Sequence, residues 1–316
     1  MKKALKIIGK ILLGFLMLIV LFLLVMTVYN QIMLKKNKAL YGTPLGQLVE
    51  VDGHNMSIYT EGEGDHTIVF LSGYGTTSPI LDFKALYSRL SDQYRIVVVE
   101  KFGYGFSDEI DGSRDMDTIL RQDREALEKA GINGPFVLCP HSFSGYEATL
   151  WAQKYPEEVE AIVGLDMCTP NCKDRSRLEQ DRSNFDLSLV RFLKYAGILR
   201  FFNQNESGTL TEQEQKIYNE IFNKKTLNDT MLREGENGQE LALVDELNAV
   251  PLPTVPMILY MSADDNGAFW ESGMQAMVDA SSDGKLIKLS CGHYVHDYEY
   301  ERISKDMKEF IEHLKG

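Results

Sequence analysis

The segment Phe136-Val137-Leu138-Cys139-Pro140-His141-Ser142-Phe143-Ser144-Gly145 decides how the rest of the chain is read. Its first four residues make a short apolar strand, and Pro140 fixes φ just before a tight turn with Ser142 at its apex. Glu147-Ala148-Thr149-Leu150-Trp151-Ala152 then continues as a helix. Taken alone, a Ser-Phe-Ser-Gly turn serves equally well as a purely structural loop.

Working outward, short β-branched or apolar runs recur on both sides. Strands are expected at Met56–Thr60, Thr67–Leu71, Arg95–Glu100, Phe136–Cys139, Ala161–Leu165, Met257–Met261 and Leu286–Ser290. Amphipathic stretches lie between them. In Asp117–Ala130, Ile119, Leu120 and Leu127 fall at helical spacing, and Glu301–Leu314 repeats the pattern with Ile303, Met307, Phe310, Ile311 and Leu314. Alternation of helix with strands too apolar to face water predicts an α/β fold, a mostly parallel sheet covered on both faces. From Thr169 to Pro251 only helical pattern occurs, and Thr211-Glu212-Gln213-Glu214 has the form of a capping box. The predicted organisation is an N-terminal segment 1–38, a core of 39–168 and 252–316, and a helical cap 169–251 over the carboxyl edge of the sheet. Phe192, Tyr195, Phe201 and Phe202 in the cap are expected to pack between cap and body, with substrate or membrane contact as the other uses.

The strand–turn–helix around Ser142 resembles the nucleophile elbow of the α/β-hydrolase superfamily, usually G-x-S-x-G. Residues two before and two after the nucleophile must be small in that strained turn, and here Pro140 and Ser144 replace the two glycines. Ser72-Gly73-Tyr74-Gly75 is similar to the family's H-G-x-G turn, with Ser for His. The resemblance implies an oxyanion hole made by the backbone N–H groups of Tyr74 and Phe143. Glu100-Lys101-Phe102-Gly103-Tyr104-Gly105-Phe106-Ser107-Asp108 resembles the family's D-x-x-G-x-G-x-S turn; as a plain glycine turn it is assigned no chemistry.

A serine hydroxyl needs a base within hydrogen-bond reach. The family keeps its histidine in a Gly-His turn before the final helix, and Cys291-Gly292-His293-Tyr294-Val295-His296 matches, which selects His293. His296 is expected at the rim or near the start of that helix, and His141 as a packed imidazole. The acid is expected after the first strand beyond the cap. Pro256 to Asp265 resembles P-x-L-x-x-x-G-x-x-D and points to Asp265, with Asp264 and Asp166 as alternatives. The order Ser…Asp…His is the one this fold uses.

Seven lysines and no acid occupy residues 1–38, leaving 26 basic against 46 acidic residues beyond them and a net charge near −20 there. So acidic a domain repels nucleic acid and favours neutral or cationic substrates. Ile11 to Leu34 carries no charge over 24 residues, long enough at about 1.5 Å per residue to cross a ~30 Å hydrocarbon core. A retained single-pass membrane helix, with the bilayer contacted through residues 11–28, is favoured over a cleaved signal peptide or a buried core helix. Lysines flank both ends, and the positive-inside rule leans towards an extracytoplasmic catalytic domain. Four cysteines are too few for a disulfide scaffold; Cys168 and Cys172 are read as packed thiols, with a bridge, or metal binding with help from elsewhere, as the alternatives. No metal cluster or phosphate-binding loop stands out, so no cofactor is expected.

The resemblance implies acyl transfer: a carboxylesterase- or lipase-like serine hydrolase with a catalytic triad, acting on a small-molecule acyl substrate. Serine at the elbow argues against the dehalogenase and epoxide-hydrolase relatives. The alternatives are an aminopeptidase of the proline-iminopeptidase kind, for which Glu234, Glu236, Glu240, Asp245 and Glu246 would supply an amine-binding cluster, and a non-catalytic ligand-binding protein on a hydrolase fold. The plainer reading of those acids is a solvated face.

Overall fold

The computed structural model describes residues 2–172, 187–202, 205–235, 239–264 and 267–314. Its described strands are β1 (Gln47–Val51), β2 (His54–Glu61), β3 (Thr67–Leu71), β4 (Arg95–Glu100), β5 (Phe136–Pro140), β6 (Val159–Leu165), β7 (Met257–Ser262) and β8 (Gly284–Leu289). They form one sheet in the order β1-β2-β4-β3-β5-β6-β7-β8. β2 runs antiparallel to both β1 and β4, and every other pairing is parallel. The central strands β3 and β5 are buried at every residue, which is why they read as unbroken apolar runs. β1 was not expected. It lies at the sheet edge, its residues alternate between buried and exposed, and Leu48 faces out, so it lacks the apolar run that marks the inner strands.

Two apolar layers enclose the sheet. One gathers Leu138, Trp151, Leu127 and Met277, the other Phe70, Tyr87, Tyr260 and Met307. Between β6 and β7 the described residues form helices at Leu187–Tyr195, Glu212–Lys225, Asp229–Glu234 and Gln239–Asn248, with a 3-10 turn at Ile198–Phe201. Thr211 caps the second of these helices from both sides. Its hydroxyl accepts the Glu214 N–H at 3.3 Å, while Glu214 accepts the Thr211 N–H at 2.9 Å. The cap aromatics do not pack between cap and body. Phe192, Tyr195, Phe201 and Phe202 are 51% to 66% exposed, because the buried side of these short elements is taken by residues such as Ala196 and Leu199.

Residues Lys2–Lys36 form one helix, long and apolar enough to cross a membrane, and its most apolar stretch is not buried against the protein.

Candidate active site

β5 delivers the elbow. Its last residue, Pro140, pairs with Leu71 at the end of β3, and the His141 N–H continues the ladder by donating to the Leu71 carbonyl at 3.0 Å. Ser142 then takes φ +53°, a left-handed conformation that costs a non-glycine residue energy and is found where surrounding structure enforces it. The Ser142 carbonyl accepts the Cys168 N–H at 2.7 Å and the Gly145 N–H at 2.9 Å, clamping the turn between β6 and its own helix, Ser144–Lys154. Ser144 contributes more than small size: its hydroxyl donates to the Leu71 carbonyl at 2.6 Å and accepts the His141 N–H at 3.0 Å. The closest approach falls one residue later than the motif suggests. A Cβ on Gly145 would lie 2.1 Å from the Cys168 carbonyl oxygen, so glycine is required there.

His293 follows β8 and turns its Nε2 to within 2.8 Å of the Ser142 hydroxyl. Its Nδ1 lies 2.6 Å from Oδ2 of Asp166. An ionised carboxylate only accepts, so Nδ1 carries the ring proton and Nε2 presents its lone pair to the serine. Asp166 is fully buried and held from the other side: its Oδ1 accepts the Ser262 N–H at 3.0 Å and the Trp270 indole N–H at 3.1 Å. Asp265, the expected partner of His293, lies outside the described residues, and among the described residues the alternative Asp166 stands on the imidazole. The physical reason is topological. β6 and β7 are parallel neighbours with Leu165 opposite Tyr260, and Asp166 follows directly on the end of β6, which brings its carboxylate to the same edge of the sheet as His293. Asp166 also sits in a left-handed turn, φ +44°, that takes it out of the strand direction. Trp270 gave no signal in the sequence beyond being one of two tryptophans.

The turn after β3 lies against the serine. A Cβ on Gly73 would come within 2.7 Å of the Ser142 Cβ. Among the described residues, the backbone N–H groups of Tyr74 and Phe143 have no acceptor, whereas the neighbouring Gly75 N–H is taken by the Tyr104 hydroxyl at 3.2 Å. The Tyr74 and Phe143 rings meet edge to face, 6.3 Å between centroids. Burial, with Glu234 nearby, pushes the Tyr74 phenol up to about 12, so it stays protonated.

His141 is a packed imidazole, as expected. Its Nε2 donates to the His293 carbonyl at 3.2 Å, and its ring lies 4.8 Å from that of His293 and 4.6 Å from that of His296. Burial, reinforced by His296 and His293, holds it well below the usual histidine range and therefore neutral. His296 lies near the start of the closing helices, one of its two expected places, and not at the rim. It is fully buried in the helix Val295–Tyr298, with Nε2 2.9 Å from Oδ2 of the equally buried Asp82. Asp82 comes 214 residues earlier, a pairing no local pattern announces.

The turn after β4 is structural. Glu100 is buried and accepts the Phe106 N–H at 2.8 Å. The next residue, Lys101, meets Glu234 of the helix Asp229–Glu234 at 2.7 Å in a pair closed to solvent. Glu234 is therefore no part of a solvated face. Glu240 accepts the Tyr146 hydroxyl at 3.0 Å, and Glu246 pairs with Lys154 at 2.8 Å; Glu236 lies outside the described residues. Cys168 and Cys172 are buried thiols, the latter 3.5 Å from the Tyr146 hydroxyl. Among the described residues no group of three or more His, Cys, Asp or Glu side chains is arranged to hold a metal.

A sheet of this order, with a serine elbow after β5 and a histidine after β8, defines an α/β-hydrolase. The chain belongs to the alpha/beta hydrolase fold family, which it matches over residues 66–300. It is 32% identical over 308 residues to the uncharacterized protein YbdG of Bacillus subtilis, a match covering 91% of this chain and 92% of that one. Among solved structures it resembles Cfl2 of Burkholderia cenocepacia, with TM-score 0.66 and 20% identity over 84% of this chain and 94% of the other. It also resembles an epoxide hydrolase of Bacillus megaterium, with TM-score 0.67 and 17% identity over 84% of this chain and 100% of that one. At those identities the structures speak for the fold.

Proposed function

We propose that this protein is a serine hydrolase that cleaves carboxylic esters or related acyl bonds through an acyl-enzyme on Ser142. The observation that carries the proposal is the 2.8 Å contact from His293 Nε2 to the hydroxyl of a serine held at φ +53°. As the Ser142 oxygen attacks the substrate carbonyl, its proton passes to Nε2. Asp166 keeps the proton on Nδ1 and balances the imidazolium that forms. The Tyr74 and Phe143 amides stabilise the oxyanion, a contribution of about 3 kcal/mol per donor in comparable sites. Nε2 then returns the proton to the leaving alkoxide, and water repeats the sequence to release the acid.

An epoxide hydrolase reading has the fold in its favour but not the nucleophile, since the residue at the elbow apex is a hydroxyl and not a carboxylate. The aminopeptidase reading is disfavoured because Glu234, Glu240 and Glu246 are engaged within the protein. A cavity of about 180 Å³ beside Phe143 has Met116 and Leu243 in its wall, but Arg114, Asp115, Asp117, Glu234, Glu240 and Glu246 line it as well, so charged residues outnumber apolar ones there. The proposal includes a bilayer crossed by the N-terminal helix and a catalytic domain on the extracytoplasmic side.

The test is turnover of a chain-length series of p-nitrophenyl esters beside aminoacyl anilides, using the full-length protein in detergent and its Ser142→Ala variant. Ester turnover lost by roughly five orders of magnitude in the variant is the expected result. Turnover that survives Ser142→Ala, or cleavage of the anilides alone, overturns the proposal.

A further inference from the structure

Within the N-terminal helix, the single buried residue is the polar Asn30. Its amide donates to the Lys194 carbonyl at 3.1 Å, and its oxygen accepts Nε of Arg200 at 2.7 Å. Arg200 reaches on to Glu220 at 2.8 Å, and Glu220 accepts the Asn37 amide at 2.9 Å. The backbone closes in as well: a Cβ on Gly197 would lie 2.7 Å from the Asn30 Cβ and 2.9 Å from the Met26 carbonyl oxygen. The helix is thus clasped by the helical insertion between β6 and β7, at one defined level.

That level is informative. Asn30 stands five residues before Lys35, where the uncharged stretch ends, so it lies about 7 Å along the axis from the first flanking charge. The headgroup layer of one leaflet is of similar thickness, roughly 5–7 Å. An insertion clasped at Asn30 cannot stand clear of the membrane if the helix crosses it.

The insertion is built for that position. Residues 187–202, Leu-Ser-Leu-Val-Arg-Phe-Leu-Lys-Tyr-Ala-Gly-Ile-Leu-Arg-Phe-Phe, carry three basic side chains and no acid, within a domain of net charge near −20. Outside the N-terminal helix, ten large apolar side chains are exposed among the described residues. Five of them, Leu189, Phe192, Tyr195, Phe201 and Phe202, fall in this one stretch. Phe201 also lines a groove of about 710 Å³ with Val25, Met26 and Tyr29 of the N-terminal helix. The apolar face is therefore continuous with the apolar surface of the helix. Lys194 is buried, Arg200 is taken up by Asn30 and Glu220, and Arg191 pairs with Asp229, so the face presents aromatic and aliphatic side chains, and aromatic rings favour the headgroup boundary.

We infer that the face carrying Leu189, Phe192, Tyr195, Phe201 and Phe202 lies in the lipid interface of the bilayer that the N-terminal helix crosses, so that the insertion over the sheet rests on the membrane. This rests on the reading of Lys2–Lys36 as a membrane span and is independent of the acyl chemistry.

The experiment uses the full chain reconstituted into phosphatidylcholine vesicles whose acyl chains are brominated either close to the headgroup or near their ends, with each added tryptophan reporter compared against the parent protein. Phe201→Trp reports on the cap face and Phe22→Trp on the helix; both residues are exposed, so the fold tolerates the change. The inference expects the Phe201→Trp emission to be lost in brominated vesicles and protected from aqueous iodide. If that emission is quenched by iodide and untouched by bromine while Phe22→Trp is quenched by bromine, the helix inserts but the cap stands clear, and the inference falls. If neither reporter responds to bromine, the span reading falls and takes the inference with it.

Discussion

Asp166 presents one carboxylate oxygen to His293 Nδ1 at 2.6 Å and keeps the other occupied by the Ser262 N–H and the Trp270 indole. The two residues lie at the ends of different strands, 127 positions apart. Their contact orients the imidazole so that Nε2 faces the Ser142 hydroxyl at 2.8 Å.

Asp166→Asn is expected to leave the melting temperature close to the parent value and to lower kcat by about 10³–10⁴, because an amide at that position favours the wrong tautomer. Asp265→Asn is expected to cost much less. Steady-state kinetics on one ester decides between them, and the reverse ranking would return the acid role to Asp265.

The turn after β3 is packed against the nucleophile, which makes Gly73→Ala a sharp probe. The new Cβ would sit 2.7 Å from that of Ser142, displacing the hydroxyl or the oxyanion loop. The expected outcome is a fall in kcat of about 10² or more with KM little changed. Gly112→Ala, where nothing lies within 4 Å of the new Cβ, is the matched control and should behave as the parent.

Lys101 and Glu234 form a solvent-closed pair between the end of β4 and the insertion, with Arg114 4.0 Å from the second carboxylate oxygen. Lys101→Met strands a buried carboxylate and is expected to cost about 3–5 kcal/mol in urea unfolding. Adding Glu234→Met should recover a large part of that loss. Simple additivity of the two would show that the pair does not couple insertion to core.

Glu100 supplies a pH dependence. Burial raises its carboxyl from the ordinary 4.5 to about 7, against the opposing pull of the Phe106 N–H. Between those values the folded protein binds more protons than the unfolded chain. Stability therefore falls as pH rises through that window and stays lower above it. The difference is of order 3 kcal/mol for a shift from 4.5 to about 7. Glu100→Gln should flatten this part of the curve. Melting temperatures across pH 4–8 (roughly the window just defined) check it, and an unchanged slope would show that Glu100 is not the titrating group.

The site was legible where its signals are local. A strand, a tight turn and a helix follow one another around Ser142, and His293 stands in a Gly-His turn just before the closing helices. The choice of acid was not, because β6 and β7 are neighbours and Asp166 and Asp265 follow their respective ends. The burial of His296 was not legible because its partner Asp82 is distant in sequence. The exposure of Phe201 and Phe202 was missed because spacing shows that aromatic residues cluster but not which side of a short turn they occupy. β1 was missed because an edge strand needs no apolar run.

The central claim, an activated serine, is tested most directly by labelling the detergent-solubilised full-length protein with a fluorophosphonate and mapping the adduct by peptide mass spectrometry. The account predicts near-stoichiometric modification of Ser142, slowed severely by Asp166→Asn and abolished by Ser142→Ala. A folded protein that stays unmodified, or is modified at another residue, would contradict it.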